Sequence, residues 1–509
     1  MGFNQLNPGS GGVDVMAPAF LLGSLFYQRR RWLLSLVDCQ RTDTPGGSPD
    51  APPRRNLLEE TAIVNHSEAF KLITAGRLID GRGGPPVQEG AVLIRGSKIV
   101  AVGPAKNVLP PEGATVETFD YRGKTVMPGM IDCHTHHNGF GDGRPGEEVA
   151  ALPDEVLTLQ AARNARDSLY SGVTSIRDNG AKNMTMFRLR EAVNHRIIQA
   201  PRMVLCGRPI AIVGGHMGYF GSEVTGPVEA TAAVRQLIKE GADYIKISAT
   251  GGSTRTSFPL LPAFNPDELR AMTQEAHKFG KLTATHCAST QGTIDSLDAG
   301  VDMIIHCVFK DSNGEANFRE DVAERIGSQG AYVNPTVHVA RASVWSLQKR
   351  KEARGINFQE QPGLDAALWE LEIRWTHLAR LIDMGLKIIT GSDSSWVDYK
   401  LGNTVYETEC LVQAGMSPMQ GILSLTSDAA KALGIDSVTG SLEAEKEADL
   451  IIVDGNPAED INSLWNIDEV FLGGDRVDRG PESVLAGIRQ HPPTSRPESS
   501  IVNSLQAGG

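Results

Sequence analysis

The 509-residue chain has no window near the roughly 18 uninterrupted apolar residues that a membrane-spanning helix needs, so no span is expected. It is also short of positive charge. Its 49 lysines and arginines face 61 aspartates and glutamates, for a net charge of −12, and without a basic face there is nothing to grip a phosphate backbone. A nucleic-acid partner is therefore not expected. Cysteine is scarce as well: six residues with no paired spacing set aside a disulfide scaffold and read as reduced thiols in a cytoplasmic protein. What the chain does have is ordinary globular composition, 40% hydrophobic and 22% charged, and enough length for one large domain with a smaller one.

Residues 1–66 differ from the rest, with early glycines, Gln28-Arg29-Arg30-Arg31 and a Pro/Gly-rich run from Thr44 to Arg55. The apolar run Ala17–Tyr27 is short and carries its arginines on the wrong side for a secretory signal. This segment reads as a poorly ordered extension. The alternative is a membrane-surface anchor through Phe20, Leu21, Leu22, Phe26 and Trp32.

The informative stretch is Val126–Gly139, where a short apolar strand runs into His134-Thr135-His136 between the turn formers Pro128-Gly129 and Asn138-Gly139. Side chains alternate along a strand, so Asp132, His134 and His136 share a face, and two neutral imidazoles can converge on one divalent ion. Alone, such a pair is as compatible with core histidines. On either side of it lie flanks of short strands. Residues 67–127 carry 70–75, 90–94 and 98–102 with hairpin punctuation, and residues 438–482 carry 448–454 and 469–474. Neither flank can cover its own apolar face, so the two are expected to pair into one small β-sandwich. A C-terminal tail, residues 483–509, would follow.

Between the flanks, residues 128–437 alternate strands with helical stretches such as 227–240, 266–278 and 367–384. After the first strand come 174–178, 203–206, 244–248, 282–286, 303–306, 332–335 and 387–393, which together give an α/β chain with a (β/α)8 TIM-like barrel. Active sites of such barrels sit at the C-terminal strand ends, and there this sequence places His134, His136, Lys246, His286, His306 and Asp393.

In these residues the chain resembles the amidohydrolase superfamily, over about residues 70–480, and within it the binuclear-metal branch of Xaa-Pro dipeptidases, carboxypeptidases and ochratoxinase. The pointers to that branch are Gly214-Gly215-His216 and Ala249-Thr250-Gly251-Gly252. The resemblance implies six metal ligands, namely the six residues just named. It also implies two divalent metal ions, zinc first among them, bridged by a carboxylated Lys246. An unmodified lysine is a cation that repels metals, so Lys246 needs either a depressed pKa or conversion to an anion. A metal pair about 3.5–4 Å apart can acidify a shared water into a bridging hydroxide and polarise a carbonyl. Asp393 would then act as general acid and base, moving the water's proton to the leaving amine.

Three further residues are candidates for substrate binding: His216 and His338, just past strands three and seven, and Arg255, which could pair with a substrate carboxylate. Cys133, Cys287 and Cys307 adjoin ligand positions, and alternation turns them away as small buried groups. The expected activity is hydrolysis of an amide, peptide-like or in an N-acyl amino acid, with a small-molecule amide or dipeptide as the partner. A homo-oligomer is compatible with the sequence, which does not specify one. The alternatives are a lactonase or esterase, a deaminase, or a non-enzymatic assembly module of the same superfamily. A deaminase would carry an acid shortly after His286, where this chain has Cys287-Ala288-Ser289-Thr290-Gln291; an assembly module would have lost ligands.

Overall fold

The computed structural model describes residues 69–492, so the expected N-terminal extension, its anchor alternative and most of the expected tail lie outside the described residues. Strands β1 (Phe70–Leu78), β2 (Val87–Arg95) and β3 (Lys98–Pro104) form an antiparallel meander. β4 (Val116–Pro128), a 13-residue strand not anticipated from the sequence, lies parallel to β1. Gly129 then turns the chain straight into β5 (Met130–Thr135). A Cβ at Gly129 would stand 2.1 Å from Thr174 Oγ1, so only glycine fits where the two sheets meet.

β5, β6 (Val173–Asp178) and β7 (Arg202–Leu205) form a parallel sheet. After the short pair β8 (Ala211–Ile212) and β9 (Glu223–Val224) comes a second parallel sheet of β10 (Ile245–Ile247), β11 (Thr283–His286), β12 (Met303–Ile305) and β13 (Tyr332–Asn334). Helices alternate with these strands as the 3.6-residue periodicity predicts. Pro266–Lys278, for instance, is started by an Asn265/Glu268 capping box with proline in its first turn. The expected eighth strand, 387–393, is not a continuous ladder. It touches its neighbours through single parallel bridges, Val333 with Ile388 and Thr135 with Ser394, and Asp393 has a φ of 53° that breaks the extended run. A further bridge, Ile210 with Ile247, links the segment after β7 to β10.

The two flanks pair as expected, but into one sheet and not a sandwich of two. β14 (Leu450–Val453) lies antiparallel to β4, and β15 (Ile467–Leu472) and β16 (Asp475–Arg476) extend it, in the order β16-β15-β14-β4-β1-β2-β3. One continuous core explains this: Ile73, Val92, Ile94, Val126, Leu450, Ile452 and Phe471 from both ends of the chain are buried together. Arg202 on β7 clamps this sheet to the parallel strands. Its Nε lies 2.6 Å from Asp449 Oδ2 and its Nη2 lies 2.9 Å from Glu447 Oε2. At the junction with the expected tail, Glu482–Ile488 is a helix.

All five cysteines among the described residues are buried and free. Burial pushes the Cys133 thiol up to about 12 and raises those of Cys287 and Cys307, which fits small core residues and not nucleophiles. Among the described residues no helix is long and apolar enough to cross a membrane.

Candidate active site

The strand ends deliver a cluster of imidazoles into one cavity of about 330 Å³, lined by His134, His136, Lys246, His286, His306 and Asp393. All six residues singled out from the sequence therefore meet. Two close groups are resolved. His134 Nε2 and His136 Nε2 are 3.2 Å apart, and each lies 3.2 Å from Asp393 Oδ1. Opposite them, His286 Nδ1 and His306 Nε2 are 2.9 Å apart, and the His134 and His306 ring centroids are 5.7 Å apart.

The outer ring nitrogens determine what these contacts are. His136 Nδ1 meets the carbonyl of Gly180 at 3.1 Å and His286 Nε2 meets that of Gly251 at 3.0 Å. A carbonyl only accepts, so in each ring the proton sits on the outer nitrogen and the inner one carries a lone pair. His134 Nδ1 faces Asn334 Oδ1 at 2.9 Å, which also only accepts, whereas His306 Nδ1 faces the Thr336 hydroxyl at 2.6 Å, which can accept from the ring or donate to it. The lone pairs of His134, His136 and His286 and a carboxylate oxygen thus point inward, with the inner nitrogen of His306 beside them. Burial pushes His134, His286 and His306 well below the ordinary imidazole value, so they stand neutral and able to bind a cation. Lone pairs aimed at one another repel, and a cation between them removes that cost. The donor set of His134, His136 and Asp393, all buried with ligand atoms within 4.8 Å of one another, fits a divalent metal.

Lys246 on β10 is buried, and its amine is lowered by burial to about 8, with Asp393 acting in the other direction. Gly391 allows the Asn334–His134 pairing. A Cβ there would stand 2.5 Å from Asn334 Nδ2 and 2.8 Å from His134 Cβ. Asp132, expected to share the ligand face, is used for scaffolding: it accepts from His134 N, Ser392 N and the Thr404 hydroxyl, tying β5 to the Asp393 segment.

The three substrate candidates fare differently. His216 lines the cavity, with its ring 4.3 Å from that of His286, and burial lowers it to about 3. Arg255 does not line it; its side chain is 70% exposed and reaches toward Glu148 at 3.9 Å. His338 is not there either. It is 1% exposed, stacked on Tyr406 at 4.8 Å and accepting from Arg341 Nε at 2.8 Å, because the helix Val337–Arg354 starts so as to turn it into the interior. In their place the cavity is lined by Tyr219, Trp396 and Arg374, which sequence reasoning passed over. Tyr219 lies within reach of the Gly214-Gly215-His216 signal. Arg374 carries no local signal beyond an i,i+4 pairing with Glu370.

Parallel α/β strands bearing buried, inward-facing histidines and an aspartate at their ends define a class: a hydrolytic enzyme with a centre suited to a divalent cation. The chain belongs to the amidohydrolase family, whose model matches residues 125–477, and it is a hydrolase of carbon–nitrogen bonds. It is 26% identical over 472 residues to an ochratoxinase of Aspergillus niger, covering 84% of this chain and 91% of that protein. To an imidazolonepropionase of Symbiobacterium thermophilum it is 26% identical over 418 residues, covering 75% and 90%. In structure it is similar to a Xaa-Pro dipeptidase with bound methionine in the active site, with a TM-score of 0.70 and 29% identity, covering 81% of this chain and all of that one.

Proposed function

We propose that this site hydrolyses an amide bond, peptide-like or in an N-acyl amino acid, with two divalent ions, zinc first among them. The observation that carries the reading is the meeting of His134, His136 and the Asp393 carboxylate at 3.2 Å, with the close His286–His306 pair lining the same cavity. The residues that would hold the ions are His134, His136, His286, His306 and Asp393, with Lys246 as a carbamate. Such ions, when bound, polarise a carbonyl and acidify water. Lys246 at about 8 leaves roughly a tenth of the amine neutral at pH 7, and the neutral amine is the form that adds carbon dioxide. We read the parallel strands with 387–394 as a closed (β/α)8 ring, a reading supported by the bridges at Ile210–Ile247, Val333–Ile388 and Thr135–Ser394.

In this mechanism Asp393 takes a proton from the attacking water and passes it to the departing nitrogen. Tyr219, whose phenol burial keeps protonated, and neutral His216 face the cavity where they can donate to the acyl oxygen. Likeness to a Xaa-Pro dipeptidase with methionine bound in its active site supports a substrate with an amino-acid part. A deaminase is disfavoured because the stretch directly after His286, Cys287-Ala288-Ser289-Thr290-Gln291, brings no acidic side chain to the cavity. The five free cysteines among the described residues agree with a cytoplasmic setting.

The test combines elemental analysis with a panel of N-acyl amino acids, Xaa-Pro dipeptides and lactones. Close to two divalent ions per chain are expected, with Lys246→Ala losing most of the second. An active protein free of metal, or lactones turned over faster than every amide, would refute the proposal.

A further inference from the structure

Beyond the histidines the cavity wall is largely apolar or aromatic, with Met217, Pro259, Val339, Trp396 and Val397. Besides Lys246 and Asp393, Arg374 is the charged side chain lining it among the described residues. It comes from the helix Gln361–Asp383 and stands beside His306, lining both the cavity and a small recess behind that ring. Its Nε donates to Glu370 Oε1 at 2.7 Å, one turn earlier. Glu370 Oε2 receives Lys310 Nζ, which also sits 5.0 Å from the Trp369 ring centroid. Burial works against the Glu370 charge, but Arg374 and Lys310 hold this carboxyl down to about 2. Two cations thus share one anion, leaving one net positive charge at the pocket. Among the described residues the Arg374 Nη nitrogens have no hydrogen-bond partner, while the bond at Nε fixes the plane of the guanidinium. A guanidinium held that way presents two parallel N–H groups, the geometry that matches a carboxylate.

We propose that Arg374 binds the free carboxylate of the substrate and that the substrate is an N-acyl amino acid, its acyl side uncharged. This rests on the amide-hydrolase reading above. The acyl side follows from the same inventory of charges: a dipeptide brings a free ammonium, and among the described residues the carboxylate lining the cavity is Asp393, already set between His134 and His136. In the reaction the water oxygen bonds to the acyl carbon, the C–N bond breaks, and the nitrogen gains the water's proton through Asp393. The carboxylate held by Arg374 leaves with the amine as a free amino acid.

The test uses the metal-loaded full chain and two amides with related leaving groups, N-acetyl-L-phenylalanine and N-phenethylacetamide, which lacks the carboxylate. The wild type should prefer the first by at least tenfold in kcat/KM, mainly through KM. In Arg374→Met that ratio should fall to within about threefold of unity, and in Arg374→Lys to an intermediate value. Because Arg374→Met leaves Glu370 with Lys310 alone, melting curves accompany each variant, and Glu370→Gln, which keeps the cation, should retain most of the preference. Intrinsic tryptophan fluorescence, with Trp396 in the cavity wall, gives a second reading that does not depend on turnover. N-acetyl-L-phenylalanine should bind Arg374→Met at least tenfold more weakly than the wild type, so carboxylate recognition is still read if no amide is hydrolysed and only the amide-hydrolase reading fails. A folded Arg374→Met that keeps the preference and the binding overturns the assignment. A free dipeptide cleaved as well as its N-acetyl form overturns the uncharged acyl side.

Discussion

Asp393 shows how much one side chain can be asked to do. Its Oδ1 lies 3.2 Å from two imidazole nitrogens, so it is placed to hold a cation, yet it also faces the cavity where a water would attack. The two roles separate by leaving group. An amine must be protonated to depart and a nitrophenolate need not be, so Asp393→Asn is expected to depress amide hydrolysis about 10²–10⁴-fold more than hydrolysis of an activated ester. Metal content and both rates measured on one preparation decide it: equal losses at full occupancy would leave Asp393 as a ligand only. The six ligand-type residues were legible in the sequence because each lies in or just past a short apolar segment that ends at one rim. At His306 and Asp393, with φ of 67° and 53°, the segment's end and not strand alternation places the side chain. Arg255 and His338 misled because their placement depends on a loop path and on a helix's rotation, which no local pattern encodes. Arg374 was invisible for the complementary reason: an arginine four residues after a glutamate on a helix looks like a solvated face.

Whole elements were easier to read than their edges. The strands β6, β7 and β10–β13 fall within a residue or two of the expected segments, since each is a short apolar run bounded by turn formers. β4 was missed because Val116–Lys124 mixes polar and charged residues and owes its strand character to pairing with β1. At this scale a buried carboxylate at the start of a helix is expected to contribute to the pH dependence of stability. Glu407 accepts from Val337 N at 3.0 Å and His338 N at 2.7 Å, capping the helix Val337–Arg354, and burial raises it from 4.5 to about 7. Folded protein therefore keeps this proton up to about pH 7, whereas unfolded chain loses it above about 4.5. Its contribution to stability is fully present below pH 4.5 and is lost as pH rises through 7, by about 3 kcal/mol in all. Glu407→Gln should lose roughly 1 kcal/mol from the altered cap, but its urea-unfolding free energy should lack that decline between pH 5 and 7.5. An unchanged slope would place the titration elsewhere.

At the scale of the whole molecule, the seven-stranded sheet and the parallel strands are joined by more than a shared backbone. Asp449 is fully buried and is answered by Arg202 and by Gly473 N at 2.8 Å. Arg202→Met would leave that charge mostly uncompensated, so a loss of about 2 kcal/mol is expected. The loss should appear in a single transition followed both by tryptophan fluorescence and by metal release. Two separate transitions would show that the sheet melts on its own.

The pairing of Asp393 N with His134 O at 2.7 Å and of His136 N with Ser394 O at 2.6 Å also sets a timetable. Asp393 follows His134 by 259 residues, and ribosomes add about 5–20 residues per second, so the His134 strand waits on the order of 10–50 s for the segment that closes its edge. During that interval a growing polypeptide exposes a strand edge and two unshielded imidazoles, an opening for chaperones and for adventitious cations. If the site takes up a cation, loading is therefore expected late in synthesis. Ribosome-stalled chains ending before residue 387 should be digested readily by protease and retain no tightly held zinc, whereas chains in which β16 has cleared the exit tunnel should resist digestion and keep it.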